Sequence, residues 1–456
     1  MKFHSTPLAE HAEVPLADAG RLEDLIAHWT RDESTPRPTG ANACYVVSVQ
    51  RRGDREMPDA CLDEMVSLVA TQGDGVVGRE ICWLDRPDPR TLIRRGVAAR
   101  LAERARACGA DLLVLDAELT PSQTRNLEQA TGLPICDREA VILNVFERHA
   151  TTRRARIQVE IAHLEYLRPR IRGIGLNMDQ QAGGILGGRG PGETKSELLA
   201  RQLDGRLADL RDRLVRLEGA DREERRQRRQ CARVVLVGYT NAGKTSLMNA
   251  LTDAGLSSRD RLFETLDTTS RALSRHGGDV LLSDTVGFIR NLPDRLFASF
   301  ATTLAEVCEA SLLLVVLDVS SPEIEAHLRT TQAVLEQLGA ADVPRLVVFN
   351  KCDVPDTPPD PARLAELSGG RAHVALSSRD PAAVAALRQV ILDRVRADHR
   401  VREVFVPYAR SEIVGRIYAR CRVLESTATP TGTQFVIEGE AHTVDEIARA
   451  TRSRKQ

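Results

Sequence analysis

The stretch VVLVGYTNAGKTSLMNAL carries residue types at a spacing that fits phosphate chemistry. Gly238, Gly243, Lys244 and Thr245 match G-x-x-x-x-G-K-[ST] in full, with Tyr239, Thr240, Asn241 and Ala242 between them. Glycines let backbone N–H groups turn inward toward phosphate oxygens, and the following helix adds its positive N-terminal end. Lys244 is placed to reach the β- and γ-phosphates, and Thr245 offers a hydroxyl to Mg²⁺. Asn241 is a candidate ligand for a monovalent cation such as K⁺, or else a simple loop cap.

Two further segments extend this chemistry. In LLSDTVGFI, Asp284 closes an apolar run, where a carboxylate can hold Mg²⁺ through water. Thr285 and Val286 lead to Gly287, whose N–H can meet a γ-phosphate. In LVVFNKCD, Asn350, Lys351, Cys352 and Asp353 follow another apolar run. A carboxylate at Asp353 can accept from guanine N1 and N2, a donor pair that adenine lacks, so the base read is guanine. Ser377, Ser378 and Arg379 follow VAL and belong near that base. The order of the motifs defines a GTP-hydrolysing domain, with Lys244 and Gly287 as catalytic candidates. Between the first two motifs lies LFETLDTTS, a loop whose hydroxyl must meet Mg²⁺ once GTP is bound. Thr265, Thr268 and Thr269 are the candidates, and spacing alone does not choose. Signalling GTPases often carry a glutamine after the D-x-x-G glycine to orient the attacking water. Here that residue is Phe288, which cannot do so, so unaided hydrolysis should be slow.

These loops need an α/β framework to position them. The chain has 456 residues, enough for about two to four domains. It carries 63 Lys and Arg against 64 Asp and Glu, so any nucleic-acid contact must come from local basic surface. Nine cysteines form no C-x-x-C pair, which argues against a zinc site or a disulfide framework and for a reducing compartment. The N-terminus shows no apolar signal core, and LLLVVL at 312–317 is too short to span a bilayer. A soluble cytoplasmic protein is expected.

Residues 1–40 read as a polar extension. From 41 to 150, strand CYVVSVQ, helix ACLDEMVSLVATQG, helix VAARLAERARACGA, strand DLLVLD and helix TPSQTRNLEQATG predict an α/β domain with a largely parallel sheet. Residues 151–230 predict a helical hairpin. Ile157, Ile161, Leu164 and Leu167 share one helix face, and Leu199, Leu203, Leu207, Leu210, Leu214 and Leu217 form a stripe on the next. The GTPase domain, mostly parallel, spans 231–396, and a small C-terminal α/β domain spans 400–456. The hairpin tip, GGILGGRGPGETKSE, packs six glycines into ten positions before Lys195. It fails as a second phosphate loop, because Glu193 and Thr194, not glycine, precede the lysine. The arginine-rich run 221–230 reads as a solvated helix face, with phosphate contact as the sharper alternative.

GYTNAGKTSL, LFETLDTTSR, DTVGFIRNLP and NKCD, together with IQVEIAHLEYLRPR, GGRGPGETKSE and residues 110–150, resemble the HflX family of translational GTPases over nearly the whole chain beyond residue 40. The resemblance implies this domain layout. It implies binding to the large (50S) ribosomal subunit and its rRNA, and separation of stalled or idle 70S ribosomes. It makes Thr265 the switch threonine, catalytic together with Lys244 and Gly287, so that Thr245, Thr265 and Asp284 hold Mg²⁺. Phe263, Glu264, Leu266 and Asp267 then flank the nucleotide. It also sends the glycine-rich tip into the large subunit near the peptidyl-transferase region, with Arg189 and Lys195 on phosphates, against the alternative of a purely structural turn. Glu264 and Thr268 depart from the family's usual alanine and proline, and 91–100 keeps only Gly96 of a glycine-rich turn. A nucleotide-gated subunit-assembly factor is the second reading. A regulator associated peripherally with a membrane is a distant third, and no anchor supports it. DNA is not expected as a partner, and a monomer is.

Overall fold

A computed structural model describes residues 42–51, 57–182, 195–227, 232–252, 269–273, 280–293, 295–297, 304, 306–397 and 399–452. Phe263, Glu264, Thr265, Leu266 and Asp267, and the hairpin tip at 183–194, lie outside the described residues.

The first unit is a parallel sheet in the order β2-β1-β3-β4, built from β1 (Ala43–Arg51), β2 (Gly75–Leu84), β3 (Leu112–Asp116) and β4 (Ile135–Asp137). Side chains alternate across a strand, so β1 feeds two cores. Cys44 and Val46 pack against α1 (Pro58–Thr71) and α4 (Arg138–His149). Tyr45 and Val47 pack against α2 (Arg95–Ala107) and α3 (Pro121–Thr131). Helix α3 starts in a reciprocal cap between Thr120 and Gln123 and stops at Gly132, whose φ is +65°. Strand β2 is absent from the strands read off the sequence. Gly78, Arg79 and Glu80 interrupt its apolar run, as suits an edge strand. Gly78 is also a packing requirement, since a methyl there would lie 2.5 Å from the Tyr45 ring. In the 91–100 segment, Leu92 turns the chain at φ 59° before α2 begins.

Helices α5 (Arg153–Ala182) and α6 (Lys195–Gln227) form the hairpin. Ile157, Ile161 and Leu164 meet Leu203, Leu207 and Leu210, with Leu167, Leu214 and Leu217 at the margin. Glu160–Arg206 at 2.7 Å and Glu165–Arg211 at 2.6 Å flank that seam. Asp137 ties α5 to the first unit. Its carboxylate caps α4 through Ala140 N–H at 2.9 Å, and it accepts from Tyr166 Oη at 2.9 Å and Arg170 Nη2 at 2.8 Å.

The third unit has a six-stranded sheet in the order β10-β9-β8-β5-β7-β6. Its strands are β5 (Ala232–Gly238), β6 (Thr269–Ala272), β7 (Val280–Asp284), β8 (Leu312–Asp318), β9 (Arg345–Asn350) and β10 (His373–Ala375), and only β6 is antiparallel. Helices α7 (Lys244–Thr252) and α10 (Pro381–Val395) cover one face, and α8 (Ile324–Gln337) covers the other. Helix α9 (Pro361–Leu367) precedes β10. Strand order reverses between β5 and β8, and in such sheets ligands bind beyond the strand ends at that reversal. The core on the α8 face runs without a break into the core under α1 and α4, so these units pack as neighbours.

The last unit is an antiparallel sheet, β11 (His399–Pro407), β13 (Gly432–Glu440) and β12 (Arg422–Thr429), in that order. Helices α11 (Ser411–Arg420) and α12 (Ala441–Arg452) pack onto it through Ile413, Ile417, Val444 and Ile447.

Candidate active site

The loop after β5 sits at the strand-order reversal. Gly238 lets β5 approach β8, since a methyl on it would lie 2.3 Å from the Val316 carbonyl oxygen. Asn241 is exposed at φ 60°, a conformation that asparagine tolerates better than most residues. Gly243, at φ +87°, opens α7 beneath the Asn350 amide; a methyl there would lie 2.3 Å from Asn350 Nδ2. Lys244 is buried, and its Nζ donates to the carbonyls of Gly238 at 3.1 Å and Tyr239 at 2.8 Å. Burial pulls its pKa down to about 8, with Asp284 acting in opposition. The amine is thus a buried cation whose partners are two carbonyls of its own loop.

The second motif closes over the first. Thr245 Oγ1 donates to Asp284 Oδ2 at 2.6 Å, at the end of β7. Thr285 is buried and donates to the Leu236 carbonyl at 2.7 Å, and Val286 is buried beside it. Gly287 faces the phosphate loop: a methyl on it would lie 2.8 Å from Thr240 Cγ2 and 3.0 Å from Lys244 Nζ. Phe288 stitches the two segments together. Its N–H donates to Gly238 O at 3.0 Å, and its carbonyl accepts from Thr240 N–H at 2.8 Å. The Phe288 ring is buried in the core.

The third motif lies beside the first. Asn350 is fully buried; its Nδ2 donates to Ala242 O at 3.1 Å, and its Oδ1 accepts from Ser378 N–H at 3.0 Å. Lys351, at φ 62°, pairs with Asp318 at 2.7 Å. The Cys352 thiol donates to Phe349 O at 3.5 Å. Asp353 is held below the usual carboxylate range by a hydrogen bond from Ser377 and, secondarily, by Arg379, whose Nη1 lies 3.2 Å away. The three motifs therefore gather at one end of the sheet.

Beside them lies a cluster that no motif announces. Arg138, the first residue of α4, pairs with Asp116 and Glu64 at 2.6 Å each and donates to the Arg290 carbonyl at 2.9 Å. Arg290, three residues past Gly287, pairs with Glu323 at 3.1 Å and Glu64 at 3.3 Å and donates to Cys61 Sγ at 3.2 Å. Tyr239 points its side chain into this cluster. Its hydroxyl donates to Glu64 and accepts from Arg290 N–H at 3.1 Å, and its ring stacks on His327 at 3.8 Å. Burial pushes the Glu64 carboxyl up, but Arg138 and Arg290 outweigh it and hold it below its ordinary value. Asp116 is pushed up instead, because burial outweighs the pull of Arg138 on its carboxyl. A cleft of about 240 Å³ opens here, between α1 and the phosphate loop.

A phosphate loop at the strand-order reversal, a D-x-x-G segment folded onto it and an N-K-x-D loop beside it define a P-loop GTPase. Three family profiles match along the chain: "GTP-binding GTPase N-terminal" over 59–147, "GTP-binding GTPase Middle Region" over 149–229 and "50S ribosome-binding GTPase" over 233–351. The GTPase HflX of Gluconacetobacter diazotrophicus is 37% identical, covering 97% of this chain and 94% of its own. That of Spirochaeta thermophila is 38% identical over 86% and 96%. That of Escherichia coli is 37% identical over 80% and 85%. The chain belongs to the HflX family of GTPases.

Proposed function

We propose that this GTPase is Mg²⁺-dependent, acts on the large ribosomal subunit and separates stalled or idle 70S ribosomes, with hydrolysis timing its release. The observation that carries the catalytic part is the meeting of Lys244 Nζ, Gly287 and the Thr245–Asp284 pair at one point beyond β5 and β7. Thr245, Asp284 and Thr265 would hold Mg²⁺, which would neutralise β- and γ-phosphate charge. The donor set fits: a hydroxyl and a carboxylate are hard oxygens, and this ion takes only a few protein oxygens beside phosphate and water. Lys244, Gly287 N–H and the loop's backbone N–H groups would meet the phosphates, and Asn241 would be the residue to ligate K⁺. Asn350, Lys351, Asp353, Ser377, Ser378 and Arg379 enclose guanine. Water attacks the γ-phosphorus, and GDP leaves.

The partner reading is supported by the match of 233–351 to a 50S ribosome-binding GTPase profile. The glycine-rich tip then contacts rRNA through Arg189 and Lys195. The protein works as a monomer in the cytoplasm; no helix among the described residues is long and apolar enough to cross a membrane. The test is GTP turnover with and without purified 50S subunits, paired with sucrose-gradient profiles of 70S particles. Stimulation by 50S and loss of 70S with GTP are expected. Unchanged turnover would remove 50S as the activator, and binding confined to immature large subunits would favour an assembly role.

A further inference from the structure

Phe288 occupies the place from which a glutamine would orient the attacking water, and its ring is turned into the core. Some other group must hold that water. Most nearby hydroxyls already have partners: Thr245 donates to Asp284, and Thr285 donates to the Leu236 carbonyl. Thr240 differs. It is 6% exposed, and among the described residues its Oγ1 has no hydrogen-bond partner. A buried hydroxyl left unpaired is costly, which calls for an explanation in each case.

The location of Thr240 supplies one. Its backbone N–H is fixed to Phe288 O, and the residue stands between Tyr239 and Asn241 on the rim of the cleft beside α1. Its methyl lies against Gly287, where an added carbon would sit 2.8 Å from Thr240 Cγ2 and 3.0 Å from Lys244 Nζ. Threonine and lysine thus converge on one point over Gly287. A χ1 step of about 120° exchanges the methyl and the hydroxyl of Thr240 at that point.

We propose that Thr240 is a catalytic residue of the hydrolysis: its hydroxyl accepts a hydrogen bond from the attacking water and donates one to a γ-phosphate oxygen. This rests on the reading of the phosphate loop as the GTP site. In the step, the water oxygen forms a bond to the γ-phosphorus. The bond from that phosphorus to the β–γ bridging oxygen breaks, and GDP keeps the electron pair. The water proton passes to a γ-phosphate oxygen, so inorganic phosphate carries it away. Thr240 gains and loses no proton; it aligns the water, as a side chain with both donor and acceptor capacity can.

The experiment compares the full chain with Thr240→Val, which keeps the shape, and Thr240→Ser, which keeps the hydroxyl. Single-turnover GTP hydrolysis is followed in each, and affinity is read with a fluorescent N-methylanthraniloyl GDP. Thr240→Val should lose hydrolysis by about 10²-fold while keeping GDP affinity within about threefold. Thr240→Ser should stay within about tenfold of the parent rate. Parent-like hydrolysis by Thr240→Val overturns the proposal. So does a parallel loss of GDP affinity and rate in both variants, because Thr240 would then be a loop-shaping residue. Lys244→Ala separates the two levels: if it retains nucleotide affinity and turnover, the phosphate-loop reading itself fails.

Discussion

The Tyr239 hydroxyl, on the phosphate loop, donates to the Glu64 carboxylate on α1 of the first unit. The loop that would hold phosphate is therefore bonded by one of its own side chains to a different domain. Arg290 completes the link, because it pairs with Glu64 and gives its N–H to Tyr239. Removing one member of a buried charged cluster leaves the others uncompensated. Arg290→Ala should cost about 3–5 kcal/mol. A cycle with Glu64→Gln should be non-additive by more than about 1 kcal/mol. Urea unfolding followed by a probe in each domain measures both, and strict additivity would show that the pair is not coupled.

Burial holds the Lys244 amine down, to about 8. A bound phosphate favours the charged amine, so above that pH binding must take up a proton. GDP binding at pH 9 should absorb about one proton and at pH 6.5 almost none. Affinity should fall as pH rises past 8. Titration calorimetry in buffers of different ionisation enthalpy reads the proton count directly, and no uptake at pH 9 would contradict the assignment.

In the proposed function Asp353 presents acceptors to the base edge. In Asp353→Asn one oxygen becomes a donor, which opposes the guanine amino group and suits the oxygen that xanthine carries there. GTP turnover should drop by about 10²-fold or more, and xanthosine triphosphate should become the better substrate. Competition between the two nucleotides in one assay decides it.

His327 is shifted down to about 4, first by burial and then by Arg290, although Glu64 and Asp318 pull the other way; Glu323 lies 4.0 Å from its ring. Above its ordinary value of 6.5 the ring is neutral whether folded or unfolded. Between 6.5 and about 4 the unfolded chain binds a proton that the folded chain refuses, so stability falls as pH drops through that window. His327→Phe keeps an aromatic stack on Tyr239 and should weaken that dependence. Calorimetric midpoints at pH 7, 6 and 5 for both proteins test it; identical slopes would exclude His327 as a source.

The phosphate, D-x-x-G and N-K-x-D loops were legible because each is contiguous and its backbone shape follows from its own residues. The leucine stripe was legible for the same reason: Leu203, Leu207 and Leu210 recur at helical spacing and are all buried. The Glu64–Arg138–Arg290 cluster was not. Its members lie far apart in sequence, and an isolated arginine carries no local sign that burial awaits it. Strand β2 escaped because Gly78 is dictated by a ring on the neighbouring strand, a constraint that exists only after folding.

Asp137 holds α5 partway along its length, through Tyr166 and Arg170, and the next residue, Arg138, holds the carbonyl of Arg290. Beyond Arg170 the helix continues for about 18 Å at 1.5 Å per residue. That geometry is a lever on a fulcrum. A sideways load on the distant arm reaches the fulcrum as torque, so a gentle grip far away becomes a concentrated strain next to the segment that carries Gly287.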